Sequence, residues 1–135
     1  MKTVLVLANE SIVRAILRYM LREYNVIEAA TPEEALTFFR DHHDQIDLLL
    51  ADVTLPKISG TQVALLFRFQ NPSLPVILTS DYSVRDWSSR DYSDLEGLGS
   101  SRLVFVQKPF SAHALSKVVH QLIGSPPPQL ARAGA

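Results

Sequence analysis

Short, nearly continuous apolar runs alternate along the chain with longer stretches of helical periodicity. Five such runs occur, at residues 4–8, 26–29, 46–51, 75–79 and 103–106. Three of them are apolar on both faces, as parallel strands are when helices cover both sides of a sheet. Between the first two runs, Ile12, Ala15, Ile16, Tyr19 and Met20 recur at i, i+3, i+4 spacing, which predicts an amphipathic helix burying that stripe. Thr31-Pro32-Glu33-Glu34 predicts the start of a second helix, with Thr as N-cap, Pro at the first helical position and Glu closing a capping box. Ala35, Phe38 and Phe39 supply its buried face. A third helix follows Gly60 and buries Val63, Leu66 and Phe67; a last one follows Ser111 and buries Leu115, Val118, Val119 and Leu122.

Residues 80–102 differ. They are rich in Asp, Ser, Arg and Gly, and Val84, Trp87, Tyr92 and Leu95 make only a weak stripe, so the fourth helix is expected to be short or mobile. Strands alternating with helices require right-handed crossovers and a parallel sheet covered on both faces. The expected fold is α/β, a doubly wound sheet of five parallel strands, in one domain over residues 1–123. Residues 124–135 are expected to form a flexible Pro- and Ala-rich tail, because three consecutive prolines cannot continue a helix.

The chain has 135 residues, enough to bury about two thirds of its unfolded surface without a disulfide or structural metal. It has no cysteine, which excludes disulfides and thiolate zinc sites and fits a reducing compartment. A net charge of -1 without a Lys/Arg cluster argues against nucleic acid as the partner. No apolar run approaches the roughly 18–20 residues that span a bilayer, and Met1-Lys2 leads directly into a strand. The expectation is a cytoplasmic protein beginning near its natural N-terminus, with no membrane partner.

In doubly wound sheets ligands bind outside the carboxyl ends of the strands. Those ends carry Ala8-Asn9-Glu10, Asp52, Thr79-Ser80 and Gln107-Lys108-Pro109. A carboxylate, a hydroxyl and an ammonium converging on one crevice suit a phosphoryl group: the carboxylate attacks, and the other two balance charge on the oxygens. Simpler roles exist for each residue, Asp52 as a turn cap, Lys108 as a solvated lysine and Thr79 as a good strand former.

At these residues the sequence resembles the receiver domain of two-component response regulators and hybrid histidine kinases, over Lys2 to about Ile123. Residues 47–56 with Gly60 look like the phosphoacceptor strand and its loop, which places the acceptor at Asp52. Thr79 falls at the switch hydroxyl, Phe105 at the mobile aromatic, and Lys108-Pro109-Phe110 at the lysine that precedes a cis proline. Phe105 to Ser111 looks most like receivers attached to hybrid kinases. The resemblance implies a flavodoxin-like (βα)5 fold with strand order 2-1-3-4-5. It also implies a signalling module, not an enzyme, that takes a phosphoryl group from a histidine kinase or phosphotransfer protein. Its output would pass through Thr79 and Phe105 to the face of the fourth helix, fifth strand and fifth helix, where a homodimer could also form.

One departure stands out. The family carries two adjacent acids after the first strand, and here Ala8 and Asn9 replace them. The family's Mg²⁺ ligands would map to Asp52, the carbonyl of Thr54 and Asn9, with Glu10 as a substitute acid, so Mg²⁺ binding is expected to be weak or absent. That loss motivates a rival reading, a pseudo-receiver that docks partners without phosphoryl chemistry. A flavin carrier is disfavoured, because no phosphate loop follows the first strand. His42-His43 reads as solvated, His113 and His120 are too far apart for an i, i+4 metal pair, Asn9-Glu10-Ser11 is a coincidental sequon, and Gly97-Leu98-Gly99 reads as a turn. Trp87 would either anchor a partner or cover the sheet edge.

Overall fold

Each apolar run forms a strand in the computed structural model, which describes residues 1–125. The chain order is β1 (Thr3–Leu7), α1 (Ser11–Met20), β2 (Asn25–Ala29), α2 (Pro32–His42), β3 (Leu48–Asp52), α3 (Gly60–Gln70), β4 (Val76–Ser80), α4 (Ser89–Leu98), β5 (Leu103–Gln107) and α5 (Ala112–Ile123). Single 3₁₀ turns at His43–Gln45 and Val84–Asp86 precede β3 and α4. All strands pair in parallel, in the order β2-β1-β3-β4-β5. Of the tail expected over residues 124–135, Gly124 and Ser125 are described and the remainder lies outside the described residues.

The three strands that are apolar on both faces, β1, β3 and β4, are buried at every residue. Alternation along them sorts the core into two layers. Leu5, Leu7, Leu49, Ala51, Val76 and Leu78 pack with Ala35 and Phe39 of α2, Val63, Ala64 and Phe67 of α3 and Leu98 of α4. Phe39 and Phe67 stack there with ring centroids 4.0 Å apart. Val4, Val6, Leu48, Leu50 and Ile77 pack on the opposite side with Leu17 of α1 and Leu115 and Val119 of α5. Among the described residues no helix is long and apolar enough to cross a membrane.

Three helical expectations need correction. On α1 three of the five predicted positions turn outward: Ile12, Ile16 and Tyr19 are 66%, 48% and 67% exposed, Ala15 and Met20 are half-buried, and Leu17, with Val13 beside it, takes the core position. Two apolar stripes overlap on this helix, and its polar residues select between them. Arg14 donates to the Ala8 carbonyl at 2.7 Å, and Arg14 and Arg18 both pair with Glu28 on β2, which fixes the rotation about the helix axis. On α3, Leu66 is exposed and Ala64 is buried in its place, a small side chain that allows close packing. The fourth helix is a ten-residue α-helix. Ser88 caps it by accepting from the Asp91 amide at 3.1 Å, and Gly99 ends it at φ 75°.

Candidate functional site

The strand registers bring the predicted residues together. Asp52 ends β3 directly opposite Thr79 of β4, and Ser80 lies opposite Gln107 of β5. The Lys108 amide donates to the Ser80 carbonyl at 2.8 Å, which carries the residue after β5 back over the sheet end. Lys108 Nζ thereby comes within 3.0 Å of Asp52 Oδ1, and the Thr79 hydroxyl donates to the same oxygen. Asp52 is only 7% exposed and Thr79 is fully buried, so ammonium, carboxylate and hydroxyl meet where water screens them little. Oδ2 makes no hydrogen bond within the described residues. The peptide between Lys108 and Pro109 is cis, at the predicted position.

The β3–α3 loop closes the other wall. The Gly60 amide donates to the Val53 carbonyl at 3.1 Å, and a Cβ at position 60 would stand 2.0 Å from the Asp52 carbonyl oxygen, so only glycine allows this approach. Ser59 and Gln62 form a reciprocal capping box that starts α3 against the strand end. Lys57 adopts φ 72° and pairs with Glu33 of α2 at 3.6 Å, tying the loop to its neighbour.

The result is a cleft of about 440 Å³ lined by Asn9, Glu10, Asp52, Thr54, Leu55, Pro56, Thr79, Ser80, Asp81 and Lys108. Every residue predicted to touch a phosphoryl group or metal lines it. Asp81 also does, and the sequence reading missed it; its one signal is the position two residues beyond Thr79, inside a stretch read only as loop. Phe105 lies outside the cleft. It is half-buried on β5 beside a groove between α4 and β5, and the Trp87 ring packs edge-on against it with centroids 5.1 Å apart. Trp87 is thus packed at the β5 edge of the sheet, and its indole N–H donates to the Tyr82 carbonyl at 3.4 Å.

The donor set does not suit Mg²⁺. That ion takes octahedral oxygen ligands and depends on anionic ones. Asp52 is the single buried carboxylate of the cleft, and its Oδ1 already holds Lys108 and Thr79. Ala8 presents a fully buried methyl, Asn9 a neutral amide, and the Ala8 carbonyl accepts from a guanidinium. Glu10 and Asp81 are exposed at the rim. Among the described residues no group of three or more His, Cys, Asp and Glu side chains converges as a metal site requires. The histidines set aside in the sequence stay apart from the cleft: His43 pairs with Asp44 at 3.2 Å, and His113 and His120 line a shallow cavity between α1 and α5.

A family model described as the response regulator receiver domain matches residues 4–120. The chain is 32% identical over 124 residues to the probable transcriptional regulator ycf27 of Cyanophora paradoxa, covering 90% of this chain and 48% of that protein. It is 27% identical over 123 residues to the sensor kinase CckA of Brucella abortus (strain 2308), covering 90% of this chain and 12% of the kinase. The chain thus spans less than half the length of these relatives. The solved receiver domain from hybrid histidine kinase CckA superposes with a TM-score of 0.72 at 28% identity, covering 90% of this chain and 98% of that one. A receiver domain protein from Clostridium thermocellum superposes with a TM-score of 0.78 at 22% identity, covering 91% and 94%.

Proposed function

Because the chain belongs to the response regulator receiver domain family, we propose that Asp52 is its phosphoacceptor. The observation that carries this reading is the convergence of Lys108 and Thr79 on one oxygen of a buried carboxylate at the carboxyl end of the sheet. In the transfer, Asp52 Oδ2 attacks the phosphorus of a donor phosphohistidine. A P–O bond forms as the P–N bond breaks, and its electron pair leaves with the imidazole nitrogen. The Lys108 ammonium balances charge on the equatorial oxygens, and the Thr79 hydroxyl turns from Asp52 to one of them. Mg²⁺ binds weakly, its usual acids replaced by Ala8 and Asn9.

A receiver is a signalling unit of two-component systems, so what matters is how Asp52 alters a surface. Thr79 and Phe105 sit on adjacent strands, with Leu78 of β4 directly opposite Phe105 of β5. A shift of Thr79 toward a phosphoryl group changes the packing between β4 and β5 and biases the Phe105 ring between two positions. The partner set is a histidine kinase or phosphotransfer protein upstream and a protein, not nucleic acid or membrane, downstream. The face of α4, β5 and α5 carries the output and any homodimer. Residues 1–123 make up the working unit, and a cysteine-free chain fits a cytoplasmic setting. A docking module without phosphoryl chemistry requires no particular geometry at Asp52, whereas three groups meet there, and the phosphoacceptor reading is preferred.

The test is covalent labelling with an acyl-phosphate donor. Wild type is expected to take up label, and Asp52→Asn to lose it entirely. Label retained in that variant overturns the assignment.

A further inference from the structure

We infer that the buried groups of this domain's phosphoryl pocket balance in charge without a divalent cation before transfer, and that a phosphoryl group on Asp52 is held by Lys108, its only direct counter-cation among the described residues, independently of Mg²⁺. The inference rests on the phosphoacceptor reading above and goes beyond it.

The argument begins with charge. A receiver pocket with the two usual acids, the acceptor and the lysine carries three negative charges and one positive, and a dication brings the sum to zero. Replacement of the acids by Ala8 and Asn9 removes two negative charges, the same amount that the dication supplied. What remains buried is one carboxylate and one ammonium, 3.0 Å apart. These buried groups balance as they stand, and a dication drawn in among them would have only the exposed Glu10 and Asp81 carboxylates at the rim to compensate it.

The geometry agrees. At the position of the first acid, Ala8 offers only a fully buried methyl, and its carbonyl is bonded to Arg14 at 2.7 Å. Arg14 is itself paired with Glu28 at 3.7 Å, so this bond fixes the loop backbone and takes up the Ala8 carbonyl oxygen as an acceptor. Lys108 and Thr79 both address the acceptor directly. The rim carboxylates of Glu10 and Asp81 are exposed, where solvent screens them. Transfer then closes without a metal: the P–O bond forms at Asp52, the P–N bond breaks, and the leaving nitrogen takes the electron pair.

The experiment is a titration of the full chain with beryllofluoride, a tetrahedral mimic of the phosphoryl group, followed by fluorine NMR in EDTA and again in millimolar Mg²⁺. The expected dissociation constants agree within about threefold in the two conditions, whereas Lys108→Gln weakens binding by more than about tenfold in both. Ala8→Asp combined with Asn9→Asp, if it folds, is expected to gain more than about tenfold from Mg²⁺. A tenfold or greater tightening of the wild type by Mg²⁺ overturns the inference and leaves Asp52 as acceptor. Absence of beryllofluoride binding in both conditions overturns the acceptor reading, and the inference with it.

Discussion

Asp52 owes its chemistry to three neighbours, and each imposes a constraint that single substitutions expose. Gly60 is the most exacting, since any β-carbon there collides with the Asp52 backbone. Gly60→Ala is expected to cost about 3 kcal/mol in urea denaturation, at the upper end of overpacking penalties, and to displace the acceptor even where the fold survives. Tyr24 offers a test away from the site. Burial, and then the nearby Glu23 carboxylate, push its phenol up to about 12 from an ordinary value of 10.0. The neutral phenol also donates to the Gly124 carbonyl at 3.0 Å. The folded state therefore holds this proton more tightly than the unfolded chain does. The stability it contributes is fully present below pH 10 and declines as pH rises from 10 toward 12. Tyr24→Phe should flatten that part of the stability profile, measured by denaturation across the same range. At this scale the site was largely readable. Asp52 and Lys108 follow an apolar run and Thr79 closes one, and a parallel sheet brings all such ends to one edge. Asp81 was not readable, because nothing in a polar loop shows which way it folds back.

The helices show where pattern alone stops. A stripe on α1 is defined only to within a residue, and the choice between Ile12-Ile16-Tyr19 and Val13-Leu17 falls to Arg14 and Arg18, whose partner Glu28 lies on β2. Periodicity carries no such long-range information. The fourth helix was underrated for a related reason: its stripe is weak, and its support comes from Ser88, Gly99 and a contact outside the helix. Arg68 of α3 supplies that contact. Its guanidinium donates to the carbonyls of Leu74, Leu98, Ser101 and Arg102, all between 2.9 and 3.0 Å, joining the end of α4 and the start of β5 to α3. Burial, then the charge of Arg102, hold its pKa below the usual arginine value, yet it remains a cation. Arg68→Met is expected to cost about 2 kcal/mol, discounted because two of the acceptors are exposed, and to speed hydrogen exchange from Leu98 to Arg102. Unchanged exchange in that segment would show that the clamp is dispensable.

For the whole molecule, the sheet is the scaffold and, on the proposed reading, also the relay. Its order was legible through the family resemblance, and its two-layered core through strands that are apolar on both faces. Asp52, Thr79 and Phe105 lie on the adjacent strands β3, β4 and β5, so on the proposed reading a change at the cleft has a path to the α4–β5 groove. Trp87, the one tryptophan, caps Phe105 at the far end of that route. The most direct test of the account is an amide-resolved NMR titration of the full chain with beryllofluoride. Shifts are predicted to begin at Asp52, Thr79 and Lys108, to extend to Phe105 and Trp87, and to vanish in Asp52→Asn. A spectrum that does not respond, or responses that persist in Asp52→Asn, would contradict it.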